Sequence, residues 1–100
     1  MDKSEVINIV NKYADEVMKL FNPDKIYLYG SYAKGTARFE SDIDVAIVFN
    51  EYDGDYFESL KSLYKLRRNI DVRIEPVLLE EKNDPSGFLN DIKNNGIEIN

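Results

Sequence analysis

The chain has 100 residues and no cysteine, histidine or tryptophan. Without Cys there is no disulfide, no thiol nucleophile and no Cys-based zinc site. Without His there is no imidazole base and no Ser-His pair. Catalysis, if present, must run on carboxylates, Lys, Tyr or a hard metal ion held by oxygen. Long apolar runs are also lacking, and none approaches the ~20 residues of a membrane span. The opening Met1-Asp2-Lys3-Ser4-Glu5 has no cationic stretch leading into an apolar run. No signal peptide is therefore expected, and the expected setting is the cytoplasm. Basic charge is scarce: 13 Lys and Arg against 19 Asp and Glu leave a net charge of −6. That balance argues against general nucleic-acid binding, which needs a basic footprint.

What is present fits one folded domain over residues 1–100. Hydrophobic residues make up 43% and charged residues 32%, the composition of a globular chain rather than a disordered one. A chain of this length can bury roughly 60–65% of its unfolded surface.

The apolar spacing predicts a helix over residues 4–21, through Val6, Ile7, Val10, Tyr13, Ala14, Val17, Met18 and Phe21. Asp2 and Glu5 suit its start, and Asn22-Pro23-Asp24 its end. Ile26-Tyr27-Leu28-Tyr29 reads as a short strand stopped by Gly30, and residues 31–39 as a brief helical turn and loop. Residues 41–49 are the most strand-like, with Ile43, Val45, Ile47 and Phe49 on one face and Asp42, Asp44, Ala46 and Val48 on the other. A helix over 56–68 follows, then alternation over 69–79, where Pro76 implies a strand end or an edge strand. Asp84-Pro85 reads as the N-cap and first position of another helix, with Gly96 near its end and a last strand at Ile97–Ile99. This order predicts an α/β (α+β) fold, a small mixed β-sheet flanked by helices. The second and third strands, joined through a helix, could lie parallel by a right-handed crossover, and the first two can be antiparallel.

Asp42 and Asp44 are the most informative pair. Two apart on a strand, both carboxylates face the same way, ~7 Å apart along the backbone. They repel, and burying either is costly unless it is paired. A divalent cation removes the conflict, and a solvated polar face is the alternative. The spacing is not that of an EF-hand loop. Gly30-Ser31 lies after a strand, where a glycine lets the backbone approach a ligand closely and where phosphate donors can sit. Gly30 and Gly35 have P-loop spacing, but Thr36-Ala37 stands where Lys-Ser/Thr must follow, so this is no Walker A loop. Asp71, Arg73 and Glu75 share one face of the third predicted strand. A third carboxylate could join the pair from there, with Arg73 fixing its rotamer.

These residues resemble a known pattern. Gly30-Ser31-Tyr32-Ala33-Lys34-Gly35-Thr36-Ala37 followed by Ser41-Asp42-Ile43-Asp44-Val45-Ala46-Ile47-Val48 resembles the signature of the DNA polymerase beta-like nucleotidyltransferase superfamily. The match is best to the minimal, antitoxin-type nucleotidyltransferases of bacteria and archaea. Residues 67–76 resemble the third-carboxylate strand of polymerase beta. The resemblance implies that Gly30 and Ser31 hold the β- and γ-phosphates of ATP or another nucleoside triphosphate. It also implies that Asp42 and Asp44 bind two Mg²⁺ ions and that Asp71 binds the catalytic one, with Glu75 the alternative to Asp71. Arg73 is expected beside the nucleotide. A hydroxyl would attack the α-phosphate and release pyrophosphate, with no His required. The expected acceptor lies on a partner protein, such as a helical HEPN-type toxin that the chain would counter. A non-catalytic antitoxin or binding module, and a small-molecule nucleotidyltransferase of the aminoglycoside-modifying kind, are the alternatives. A homo-oligomer is compatible with the sequence.

Overall fold

Helix α1 (Lys3–Leu20) buries Val6, Val10, Tyr13, Ala14 and Val17 along one stripe, the three- and four-residue spacing of an amphipathic helix. Asp2 caps it by accepting from Glu5 N at 2.9 Å. The computed structural model describes residues 2–38 and 40–99, so Phe39 at the end of the predicted 31–39 loop lies outside the described residues. After α1 come β1 (Lys25–Tyr29), the single-turn α2 (Ser31–Lys34) and β2 (Ile43–Phe49). Then follow α3 (Tyr56–Leu66) with a 3₁₀ turn at Arg67–Asn69, β3 (Ile74–Glu80), α4 (Phe88–Asn95) and β4 (Ile97–Ile99).

The four strands form one mixed sheet in the order β3-β2-β1-β4. β1 pairs antiparallel with β2 and with β4, and β2 pairs parallel with β3. Strand alternation divides the core between the two faces. Ile26, Leu28, Ile43, Val45, Ile47 and Ile74 pack with α1 and α3 in the larger cluster. Tyr27, Ala46 and Val48 pack with Leu89 and Ile92 of α4 in the smaller one. The buried Tyr13 hydroxyl donates to Leu63 O at 2.7 Å, tying α1 to α3 across the larger core. Among the described residues, no helix is long and apolar enough to cross a membrane.

Two boundaries differ from expectation. The predicted third strand begins at Ile74 rather than near 69. Asp71 turns the chain back instead, its Oδ1 accepting from Arg73 N at 2.9 Å while its carbonyl accepts from Ile74 N at 3.2 Å. This side chain-to-backbone bond competes with the sheet ladder and holds a turn. Pro76 lies within β3 opposite Val45, tolerated because β3 is an edge strand. Helix α4 starts at Phe88, not at Pro85. Asp84 still caps it, but from a longer reach, accepting from Leu89 N at 2.9 Å and Asn90 N at 3.0 Å over the intervening turn. Gly96 is required by space: a Cβ there would lie 2.6 Å from Ile92 O and 3.0 Å from Leu28 O.

Candidate active site

The sheet places its polar residues in one row at one end. Tyr29 is the partner of Asp44 across β1 and β2, and Glu75 is the partner of Asp44 across β2 and β3. By alternation all three share the face that α4 partly covers, since Tyr29, Ala46, Val48, Val77 and Leu79 belong to the smaller cluster. Asp42, two residues before Asp44, is exposed just ahead of β2. Its loop is tied down by Ser41, whose Oγ accepts from Arg38 N at 2.8 Å and whose N–H donates to Arg38 O at 3.0 Å.

Gly30 closes the row from above. Its φ of +73° is a conformation L side chains rarely adopt, and a Cβ there would collide with Asp44 Oδ2. The turn leading into α2 can thus lie directly against the Asp44 carboxylate only if residue 30 is glycine. Ser31, the first residue of α2, is half-buried at that turn.

Like charges concentrate here, and the electrostatics register it. The Asp44 carboxyl is pushed above its ordinary pKa, first by burial, then by the neighbouring charges of Asp42 and Glu75. Tyr29 is pushed up to about 12, chiefly by burial and next by Asp44. Burial disfavours the charged form of either group, and adjacent carboxylates add to that cost.

Glu75 is held on both oxygens. Tyr64 of α3 donates its hydroxyl to Oε2 at 2.9 Å, and Arg67 donates Nη1 to Oε1 at 3.3 Å and to Ile74 O at 2.8 Å. The Arg67 guanidinium lies 4.7 Å from the Tyr64 ring centroid, so the two donors brace each other. The bond to Glu75 is the largest cause of a raised Tyr64 pKa. Asp71, expected as the third carboxylate, lies in the turn before β3, whose Arg73 O accepts from Ile43 N at 2.9 Å beside Asp42. The Asp71 oxygens accept from Arg73 Nε at 3.0 Å and Arg73 Nη2 at 2.6 Å. That hydrogen bonding holds the Asp71 carboxyl below the usual carboxylate range. Arg73, engaged by Asp71, is close enough to Tyr32 of α2 to interact with it electrostatically.

The structure therefore brings Gly30, Ser31, Asp42, Asp44 and Glu75 to one end of the sheet, with Asp71 and Arg73 paired to each other in the turn at that same end. Tyr64 and Arg67 were not singled out as site residues by sequence. Their three-residue spacing on a helix is the only signal that links them, and it is equally the spacing of an ordinary helix face. Among the described residues, no three His, Cys, Asp or Glu side chains close into a cage for a cation. Mg²⁺ does not need one, since one or two carboxylates commonly hold it together with water and substrate phosphates. The all-oxygen pair Asp42 and Asp44, mutually repelling without a cation, fits that mode.

A glycine turn over paired carboxylates at the end of a mixed sheet is the arrangement of a nucleotidyltransferase. The family model described as Polymerase beta, Nucleotidyltransferase matches residues 7–100, and the chain belongs to that family as a minimal nucleotidyltransferase. Two curated relatives come from Methanocaldococcus jannaschii. "Putative protein adenylyltransferase MJ0141" is 28% identical over 95% of this chain and 99% of its own length. "Putative protein adenylyltransferase MJ1379" is 33% identical over 63% of this chain and 67% of its own. A crystal structure described as a putative nucleotidyltransferase from Sulfolobus solfataricus shares the fold with a TM-score of 0.70, at 20% identity, over 96% of this chain and 80% of that one.

Proposed function

We propose that the chain is a Mg²⁺-dependent protein adenylyltransferase that moves AMP from ATP to a hydroxyl on a partner protein. The observation that carries this reading is the row of carboxylates beneath Gly30: Asp42, Asp44 and the strand partner of Asp44, Glu75. The names of the two archaeal relatives support AMP as the group transferred and a protein as the acceptor. A helical HEPN-type toxin, countered by the modification in the cytoplasm, is the acceptor in this proposal.

The residues divide the work. Gly30 and Ser31 receive the β- and γ-phosphates, where the missing side chain at residue 30 lets phosphate approach the backbone. Asp42 and Asp44 would hold the cations, with Glu75, the strand partner of Asp44, taken here as the third carboxylate in place of Asp71. Arg73, oriented by Asp71, offsets phosphate charge at the α2 side. When bound, Mg²⁺ would neutralise phosphate charge and stabilise the entering and leaving oxygens. The acceptor oxygen bonds to the α-phosphorus as the bond to the bridging oxygen breaks. Pyrophosphate leaves, and the hydroxyl proton passes to Glu75.

Calorimetry of ATP with and without Mg²⁺, on the wild type and on Asp42→Ala/Asp44→Ala, tests the proposal. Metal-dependent ATP binding in the wild type alone is the expected result. Equal binding by both proteins, or none by either, refutes it.

A further inference from the structure

The proposed transfer needs a hydroxyl that can give its proton to Glu75, and the chain already holds one in that place. Tyr64 Oη donates to Glu75 Oε2 at 2.9 Å. Among the described residues, it is the one side-chain hydroxyl bonded to a carboxylate of the row. Tyr13 donates instead to Leu63 O, Tyr32 to Arg38 O and Ser62 to Glu58 O, while the Tyr52 and Ser59 hydroxyls pair with each other. Tyr64 belongs to α3, which packs on the other face of the sheet. Its ring therefore passes β3, the edge strand, to reach the carboxylates. The contact extends beyond Glu75. The Asp42 charge also acts on the Tyr64 hydroxyl, and Tyr64 acts in turn on Tyr29, the strand partner of Asp44. The Arg67 guanidinium, 4.7 Å from the Tyr64 ring centroid, favours negative charge on the phenol oxygen.

We propose that Tyr64 is itself a site of adenylylation: with no partner hydroxyl present, the chain transfers AMP from ATP to its own Tyr64 and so closes its own site. This rests on the adenylyltransferase reading given above. Tyr64 Oη bonds to the α-phosphorus of ATP as the bond from that phosphorus to the bridging oxygen breaks. Pyrophosphate leaves, and the phenol proton passes to Glu75 Oε2, the oxygen it already points to. A hydroxyl fixed on the helix needs no encounter with a second molecule, so the step is unimolecular once ATP is bound. The product is a tyrosyl phosphodiester. It has no proton left to donate to Glu75, and it adds a phosphate charge to a row that already holds Asp42, Asp44 and Glu75. A second ATP then meets an occupied and more negative site.

The test is incubation of the full chain with ATP and Mg²⁺, without a partner, for the wild type, Tyr64→Phe and Glu75→Gln. ATP is held well above each protein's Kd, and thermal melts establish that the variants remain folded. Intact mass should show one AMP on the wild type and none on Tyr64→Phe, and peptide mapping should place it on Tyr64. The rate should not depend on protein concentration. Glu75→Gln should slow it at least ~100-fold, the contribution of a positioned base. The isolated adduct gives a readout apart from turnover. By calorimetry it should bind ATP at least ~10-fold more weakly than the unmodified chain, having lost a hydrogen bond to a charged group, and a phosphodiesterase that removes the AMP should restore binding. A wild type that binds ATP with Mg²⁺ but gains no AMP overturns the proposal and leaves the function above intact. So does AMP on another residue, labelling that persists in Tyr64→Phe, a rate that rises with protein concentration, or an adduct that binds ATP as tightly as the free chain. Absence of Mg²⁺-dependent ATP binding overturns both.

Discussion

Asp44→Asn should make the metal-free protein more stable while disabling it. Asn keeps the shape of Asp and removes one charge from a half-buried position flanked by Asp42 and Glu75. Asp44 and Glu75 are Cα partners on adjacent strands, and strands lie ~4.8 Å apart, so their carboxylates repel at ~5–6 Å. At an effective dielectric between those of a protein surface and water, one such pair costs ~1–3 kcal/mol. Both groups reach solvent, so the low end applies and the gain is about 1 kcal/mol. For a domain of this size that raises Tm by ~4–8 °C. The sign with pH follows from the raised pKa of Asp44. Below the ordinary carboxyl value of 3.8 the group is neutral in both states and the variant has no advantage. As pH rises from 3.8 through the higher folded-state value, the folded protein holds the proton that the unfolded chain has lost, and wild-type stability falls. The advantage of Asn should therefore open over that window and be complete at neutral pH. Mg²⁺ should then stabilise the wild type, by about 2.7 kcal/mol at 100 times its Kd, and leave the variant unmoved. Thermal melts from pH 3 upward in EDTA, repeated with Mg²⁺, read all of this. A variant no more stable than wild type in EDTA, or a gain independent of pH, refutes the electrostatic account. An equal response to Mg²⁺ in both proteins refutes the metal assignment.

Gly30→Ala should cost ~1–3 kcal/mol from backbone strain alone. It should also abolish Mg²⁺-dependent ATP binding, because the new Cβ displaces Asp44; urea melts and calorimetry check the two effects separately, and a Gly30→Ala variant that is unstrained and still binds ATP refutes the geometry. Glu75→Gln should weaken Mg²⁺-dependent ATP binding at least ~10-fold, about 1.4 kcal/mol, whereas Asp71→Asn should instead make stability less sensitive to acid. The Asp71 carboxyl is held below its ordinary value of 3.8 by Arg73, so its contribution is present above pH 3.8 and lost as pH falls through the lower folded-state value. The reverse pattern, Asp71→Asn abolishing metal-dependent binding and Glu75→Gln leaving it intact, overturns the choice of Glu75.

The elements that sequence revealed are those governed by local rules. Apolar periodicity located α1, α3 and the alternating β2, and the Gly30-Ser31 to Asp42-Asp44 spacing marked the site because all four residues lie on one continuous stretch of chain. What sequence left open depends on register. Asp71 and Glu75 have the same parity, so alternation alone cannot choose between them. Where β3 starts places Glu75 on the strand and Asp71 in the turn before it, and the bonds Asp71 makes to Arg73 hold that turn. Asp84 was expected as the N-cap before Pro85, whereas α4 starts at Phe88 behind Gly87; the reach of Asp84 across the turn to Leu89 N has no counterpart in the usual N-cap spacing. Tyr64 and Arg67 escape sequence reasoning for the same reason: their partner, Glu75, is brought to them by the end of a helix and the start of an edge strand.

The grip of Tyr64 and Arg67 on Glu75 also bears on how the site assembles. With both oxygens engaged by donors, Glu75 carries its charge beside Asp44 without closing a three-carboxylate cage, and the described residues contain none. The donors offset part of the repulsion that would otherwise oppose folding around three like charges. They also fix the carboxylate in position at the edge of the row, next to the partner strand that carries Asp44. For Glu75 to receive a proton or bind a cation, one of its oxygens must exchange a protein donor for the new partner. The Arg67 bond, at 3.3 Å against 2.9 Å for Tyr64, is the longer of the two, and Arg67 keeps Ile74 O as an acceptor if Oε1 turns away. Oε1 is therefore the oxygen with the lower cost of release, and Oε2, bound to Tyr64, is the anchor. Tyr64→Phe removes that anchor and leaves the aromatic ring under Arg67. It should weaken Mg²⁺-dependent ATP binding by ~3- to 10-fold, the ~0.5–1.5 kcal/mol of one ordinary net hydrogen bond at a partly exposed site, with a loss of stability no larger than that. A loss of stability without a change in metal dependence would instead make Tyr64 a support of the fold, and the release of Oε1 would then have no bearing on the site.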